Sequence, residues 1–443
     1  MGMLNRKHVG FAVVLLAFLL GGRGLCAQEA PSSLTIEEAV QAALTRNPSI
    51  RAAREQVAAA GARVKGARAD ALPQVGLSVE YRRITSPPSF EIPPLVPGDP
   101  PREVAVSPED NTVGILAARQ AVYTGGRIPA QTSRAEALLD VAVGRLGAAE
   151  AQVALQAREA YYGLLLSQGL VQSAEKSLAA AREQFASATA KFEAGTAARF
   201  DVLRAQTQVS EAEQTLVETR NQVGISRVAL NRVVGLPLDR DIALSEPGLA
   251  PLPEENLASL VEMAGRERSE LLAARAQLAA AEAGIRLAES ARLPEIGVEA
   301  DYQAVAEVTP VQTSGWTFMA RASIEIFDGG RTRANIVEAR SLREETRANL
   351  EDALQGVEQE VREAYLNLET ARPTIETAKT RLAQAEEAYE VATVRYEAGA
   401  GTAVELADAL AALTAARANL DRAIFNYNAA YARLQRALGR ATY

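Results

Sequence analysis

Residues 295–304 read Glu295-Ile296-Gly297-Val298-Glu299-Ala300-Asp301-Tyr302-Gln303-Ala304, and residues 316–326 read Trp316-Thr317-Phe318-Met319-Ala320-Arg321-Ala322-Ser323-Ile324-Glu325-Ile326. Successive side chains of a strand point to opposite faces. The first segment therefore sets Ile296, Val298, Ala300, Tyr302 and Ala304 against Glu295, Glu299, Asp301 and Gln303. The second sets Trp316, Phe318, Ala320, Ala322, Ile324 and Ile326 against Thr317, Met319, Arg321, Ser323 and Glu325. An apolar face with aromatics, a charged face and about ten residues per strand are the pattern of a membrane barrel. The alternative is a soluble hairpin with one face packed on helices. Charges on the wet faces and aromatics on the apolar faces speak against it.

Upstream, the same plan is written once before. Val75, Leu77, Val79 and Tyr81 alternate with Gln74, Gly76, Ser78, Glu80 and Arg82, whereas Thr112 to Val122 is weaker because Leu116 and Arg119 break the pattern. Tyr123-Thr124-Gly125-Gly126-Arg127 returns 204 residues later as Phe327-Asp328-Gly329-Gly330-Arg331, and Arg158-Glu159-Ala160-Tyr161 as Arg362-Glu363-Ala364-Tyr365. Ala52-Ala53-Arg54 and Leu72-Pro73 return after 221 residues, so the first copy is 17 residues longer between Pro73 and Tyr123. Prolines crowd that stretch, residues 86–110. Proline fixes φ and lacks an amide, so the stretch is expected to be a long exposed loop. The boundaries read as 1–27, 28–240 for the first repeat and 241–443 for the second.

Between the strands lies helix of unusual length. Val171, Ala174, Leu178, Ala181, Phe185, Ala188 and Phe192 step by three and four, and so do Ile375, Ala378, Leu382, Ala385, Tyr389, Ala392 and Tyr396. The seam resumes from Leu406 to Leu434. Alternating alanine with large residues lets antiparallel helices approach closely. The long helices are expected over 128–191 and 332–395, with tight turns near 193–200 and 397–404. The fold class is thus mainly α with a membrane β-barrel. Four strands per protomer cannot close around a water-filled lumen, and three protomers would supply twelve without an edge.

The start of the chain has Arg6 and Lys7, an apolar run from Val9 to Leu20, and small residues up to Ala27. This is the anatomy of a secretory signal peptide cut after Ala27, with lipidation of Cys26 as the alternative. The only histidine, His8, and the only cysteine leave with it. A mature chain without either has no Ser-His-Asp triad, no cysteine nucleophile and no thiolate or imidazole metal site. The remaining paired acids, such as Glu386 and Glu387, read as exposed helix faces, so no catalytic residue, metal or cofactor is assigned. An acidic surface disfavours nucleic acid, and no Gly-x-x-x-x-Gly-Lys phosphate loop appears.

Together these marks resemble the TolC-like outer membrane efflux proteins. They are Leu34-Thr35-Ile36-Glu37-Glu38-Ala39 followed by Asn47-Pro48, Leu-Pro before the first strand of each copy, Gly-Gly-Arg after the second strand, and the Gly-Thr turn near Asp201-Val202-Leu203. The resemblance implies a homotrimeric barrel in outer-membrane lipid, continued by a helical tunnel through the periplasm. It also implies docking on a periplasmic adaptor protein and an inner-membrane transporter. A non-pore periplasmic coiled-coil scaffold or adaptor is the other reading.

By the same resemblance, Gly195, Thr196, Asp201, Leu203, Gly399, Gly401 and Thr402 form the adaptor-docking tips. Glu405, Asp408 and Tyr396 form the periplasmic gate. Gly401 stands where the family type has an arginine, so no arginine lock is expected at that position. Glu80, Arg82, Glu299, Asp301, Arg321 and Glu325 are expected to line the barrel lumen.

Overall fold

The computed structural model describes residues 33–94, 98, 100–106, 108–253, 255–306 and 313–440; the expected leader with His8 and Cys26 lies outside the described residues, as does Pro97. Helix α1 (Ile36–Arg46) begins at Thr35, whose hydroxyl accepts the Glu38 amide at 3.2 Å while the Glu38 carboxylate accepts the Thr35 amide at 2.9 Å. That reciprocal box satisfies two amides the first turn would leave orphaned. Asn47 then caps α2 (Pro48–Ala69), and Pro48 occupies the first helical position, where no amide is needed.

Strands β1 (Gln74–Arg83), β2 (Ser89–Ile92), β3 (Arg102–Ala105) and β4 (Asp110–Thr124) follow, then helices α3 (Arg127–Glu193) and α4 (Arg199–Val234). The series recurs as α5 (Leu257–Glu267), α6 (Ser269–Ser290), β5 (Glu295–Val305), β6 (Gly315–Ser323), α7 (Arg331–Glu397) and α8 (Ala403–Ala437). Helices α3 and α7 each have 67 residues, about 100 Å at 1.5 Å per residue.

The helices bury narrow apolar seams. Ala174 and Leu178 of α3 meet Leu216 of α4, and Ala385 of α7 meets Leu413 and Ala416 of α8. Two wider cores sit midway along the long helices. Tyr161, Leu164, Leu230 and Val234 pack with Ala39 in one; Leu260, Leu271, Val361, Leu368 and Leu434 form the other. The Tyr161 hydroxyl lies 2.7 Å from the Leu34 carbonyl and 2.6 Å from that of Ser245, tying the segment between the repeats to α3. Helix α3 packs against α1, α2, α4, α6 and α8, whereas α7 packs mainly against α5, α6 and α8.

The main sheet is antiparallel in the order β1-β4-β5-β6. Three strand expectations change. The proline-rich stretch holds a small hairpin of its own, with Phe90 opposite Val104 and Glu91 opposite Glu103. Leu116 and Arg119 do not break β4. They lie on opposite faces, Leu116 opposite Leu77 and Tyr302, and Arg119 opposite Gln74 and Glu299. Strand β6 stops at Ser323, opposite Glu295, because β5 begins there and offers no further partner, so Ile324, Glu325 and Ile326 lie beyond it.

Candidate functional site

Residues directly opposite in an antiparallel ladder share a face, so the register sorts the sheet into two sides. One side carries Glu80, Arg82, Arg119, Glu299, Asp301 and Arg321. Arg119 pairs with Glu299 at 2.6 Å across β4 and β5. All the expected lumen residues except Glu325 thus lie together, and Arg119 joins them. Its odd-numbered position, three from Leu116, was the available signal. The other side carries Val75, Leu77, Val79, Tyr81, Leu116, Tyr302, Trp316 and Phe318. Trp316 stacks on Phe318 at 6.0 Å and leans on Tyr302 at 5.2 Å. This apolar side is bare, with Leu77 73% and Phe318 77% exposed. Strands β1 and β6 form its two free edges.

Where the sheet hands over to the long helices, the two repeats use different caps. The Thr124 hydroxyl accepts the Ile128 amide at 3.2 Å. At the equivalent place the Asp328 carboxylate accepts the amides of Thr332 at 2.6 Å and Gly330 at 2.9 Å. The hydrogen bonds from Thr332, then that from Gly330, hold the Asp328 carboxyl down at about 2. Gly125 has φ 60° and is pressed so closely on the end of α6 and the turn after it that a Cβ would stand 2.8 Å from the Ser290 carbonyl and 2.6 Å from the Leu293 Cβ.

At the far end, α3 and α7 reverse at Gly195 and Gly399, with φ 72° and 73°, a left-handed conformation suited to glycine. Thr196 donates its amide to the Lys191 carbonyl at 2.9 Å, and Ala400 and Gly401 do the same to Arg395. The Thr402 hydroxyl then caps α8 by accepting the Glu405 amide.

The basic residues before the two turns behave differently. Arg395 stays within its own hairpin, bonding the Ala400 carbonyl at 3.3 Å and approaching Glu405 at 3.7 Å. Lys191 crosses to the other tip: its ammonium lies 3.8 Å above the Tyr396 ring and donates to the Tyr396 carbonyl. Burial, then the Asp201 carboxylate, pushes the Tyr396 phenol up.

The structure therefore brings Tyr396, Asp201 and Lys191 together at one point, and Glu405 with Arg395 at another. Asp408 is exposed a turn further along α8, and Leu203 and Thr196 are exposed beside the first turn. Lys191 and Arg395 were not singled out from the sequence. Their signal was their equivalence, 204 residues apart and each one residue before an aromatic. Arg395 also supplies the guanidinium that Gly401 lacks at this turn.

Hairpins about 100 Å long, carrying a strip of two-faced sheet at one end, define a channel subunit rather than a globular binding domain. No described helix is long and apolar enough to cross a membrane. The outer membrane efflux protein family matches residues 39–236 and 260–440, and the chain belongs to it. Its place is the outer membrane, with the helices reaching into the periplasm. The chain is 24% identical over 410 residues to nodulation protein T of Rhizobium leguminosarum bv. trifolii, covering 90% of this chain and 84% of that one. It is 27% identical over 387 residues to the outer membrane protein OprJ of Pseudomonas aeruginosa, covering 84% and 76%. Among solved structures, the outer membrane protein VceC of Vibrio cholerae shares the fold with a TM-score of 0.77 at 19% identity, over 91% of this chain and 96% of that one.

Proposed function

We propose that three copies close into a passive export duct, the outer-membrane part of a tripartite system whose adaptor docks on the tips and whose inner-membrane transporter supplies the energy. In this reading 28–240 and 241–443 are two repeats of one wall. Their strands join a twelve-stranded barrel and their hairpins a continuous tunnel. Glu80, Arg82, Arg119, Glu299, Asp301 and Arg321 face the water, and Trp316 and Phe318 face lipid. Six carboxylates from Glu405 and Asp408 ring the entrance, and Tyr396 completes the gate from its separate place beside Lys191. Like charges so placed favour cations and repel one another. The duct itself performs no chemistry.

The unequal packing of α3 and α7 carries this reading. These helices are equivalent by the repeat, yet α3 packs along a helix of the other repeat, α8, while α7 has no such packing along its matching neighbour, α4, in the same chain and meets it only near the tip. A heterologous ring supplies that packing from the next copy. Asp421 of α8 sits against Gly169 of α3; their equivalents are Val217 of α4, 69% exposed, and Pro373 of α7, also exposed. A Val217→Cys, Pro373→Cys chain should therefore crosslink into a covalent trimer on mild oxidation, and the parent should conduct ions in planar bilayers. Crosslinks absent while conductance persists would discard this register. Absence of both would discard the duct in favour of a scaffold.

A further inference from the structure

A cleft of about 360 Å³ opens between α3 and α8 and is closed at one end by residues 246–249, the segment joining the repeats. Asp421 stands at its other end. Its carboxylate is half-buried and, among the described residues, makes no hydrogen bond or ion pair, although the Lys176 charge acts on it without reaching ion-pair distance. Gly169 makes room for it, since a Cβ there would lie 3.1 Å from Oδ2. One and two turns further along α8, Phe425 and Asn428 occupy the same face, and Leu165 and Tyr162 face them from α3. Asp421 to Asn428 spans about 10 Å of helix. No lysine or arginine lines the cleft.

Gln168, Gln172 and a second acid, Glu246, also line the cleft, so its wall is mixed; a half-buried acid in such a slot with no cation among the lining residues is an unfinished ion pair. We infer that this cleft binds a small organic cation with an aromatic or aliphatic body, Asp421 serving as counter-ion and Phe425 and Leu165 as the apolar wall. Burial, opposed only by Lys176, pushes the Asp421 carboxyl up, as expected of a carboxylate awaiting a partner. The repeat provides an internal control: Val217 and Pro373 stand at the equivalent places, so the other repeat has neither the acid nor the glycine that admits it. All walls of the cleft belong to one chain, so the inference does not depend on ring closure.

The test is calorimetric titration of the full chain in detergent with 1-naphthylmethylamine and its neutral analogue 1-naphthalenemethanol. The amine is expected to bind about tenfold more tightly than the alcohol, the scale of a charge-assisted contact. Asp421→Asn should erase that difference without lowering the unfolding temperature, because it removes an unpaired charge. Phe425→Leu should weaken both ligands together. Equal binding of amine and alcohol, no binding of either at millimolar concentration, or an amine preference that survives D421N would each overturn the site. Preference for a lysine-rich peptide over the amine would overturn it too, making the cleft a protein-docking groove.

Discussion

The two places where a short helix gives way to α2 or α6 solve one problem in two ways. In the first repeat the Asn47 amide donates to the Val233 carbonyl at 2.9 Å. In the second, the equivalent residue is Arg268, 3% exposed, and its guanidinium reaches the equivalent carbonyl, that of Ala437, at 3.4 Å. A neutral amide needs nothing more. A buried cation needs acids, and Glu270 at 3.1 Å and Glu360 at 2.5 Å provide them, with Arg436 sharing both. Burial would raise the Glu270 carboxyl, but the Arg268 hydrogen bond overcomes it and holds the group below its usual range. The first repeat carries Ser49 and Gln156 at the positions of those acids. Backbone geometry has stayed the same in both copies while the side chains diverged as linked sets.

Swapping the sets breaks the comparison. Asn47→Arg places a guanidinium among neutral groups and should cost about 3–5 kcal/mol, seen as a large fall in the unfolding midpoint by circular dichroism. Arg268→Asn should cost less, about 2 kcal/mol, because Arg436 remains to pair with both acids and about a third of each is open to water.

Acid should distinguish the repeats without mutation. Glu270 and Asp328 have folded pKa values below their unfolded ones, so their stabilisation is present above the ordinary carboxylate range and is lost as pH falls below it, for Asp328 towards about 2. Asn47 and Thr124 do not titrate. Pulse-labelled hydrogen exchange after brief acidification should therefore open α6 and the start of α7 before α2 and the start of α3. The smallest effect belongs to the tips. Lys191→Ala combined with Tyr396→Leu in a double-mutant cycle should reveal a coupling of about 1 kcal/mol, the scale of a partly buried cation over a ring. The same cycle on Arg395 and Leu203 should give none.

Much of this architecture was readable because it is periodic. Alternation exposes β1, β5 and β6, three-four spacing exposes the seams, and a fixed offset exposes the repeat. Strand β4 was harder because Val113 and Ile115 lie on its wet face, against the pattern, where a central strand has neighbours on both sides to hold it. Strands β2 and β3 are four residues each, too short for alternation to register among prolines. At the tips, Tyr396 was legible as an aromatic before a turn. Its contact with Lys191 joins residues 205 apart, and no local pattern encodes that.

The asymmetry of α3 bears on how the molecule came to be and how it can be cut. A duplicated gene usually leaves halves that could in principle live alone. Here α3 is clothed by α6 and α8, both made later in the chain, so a ribosome finishing the first repeat releases a half whose longest helix still has a bare flank. The copies have become mutual prostheses. A product ending near residue 240 would be a client for chaperones and proteases, and the second half would have to arrive before the first could be called folded.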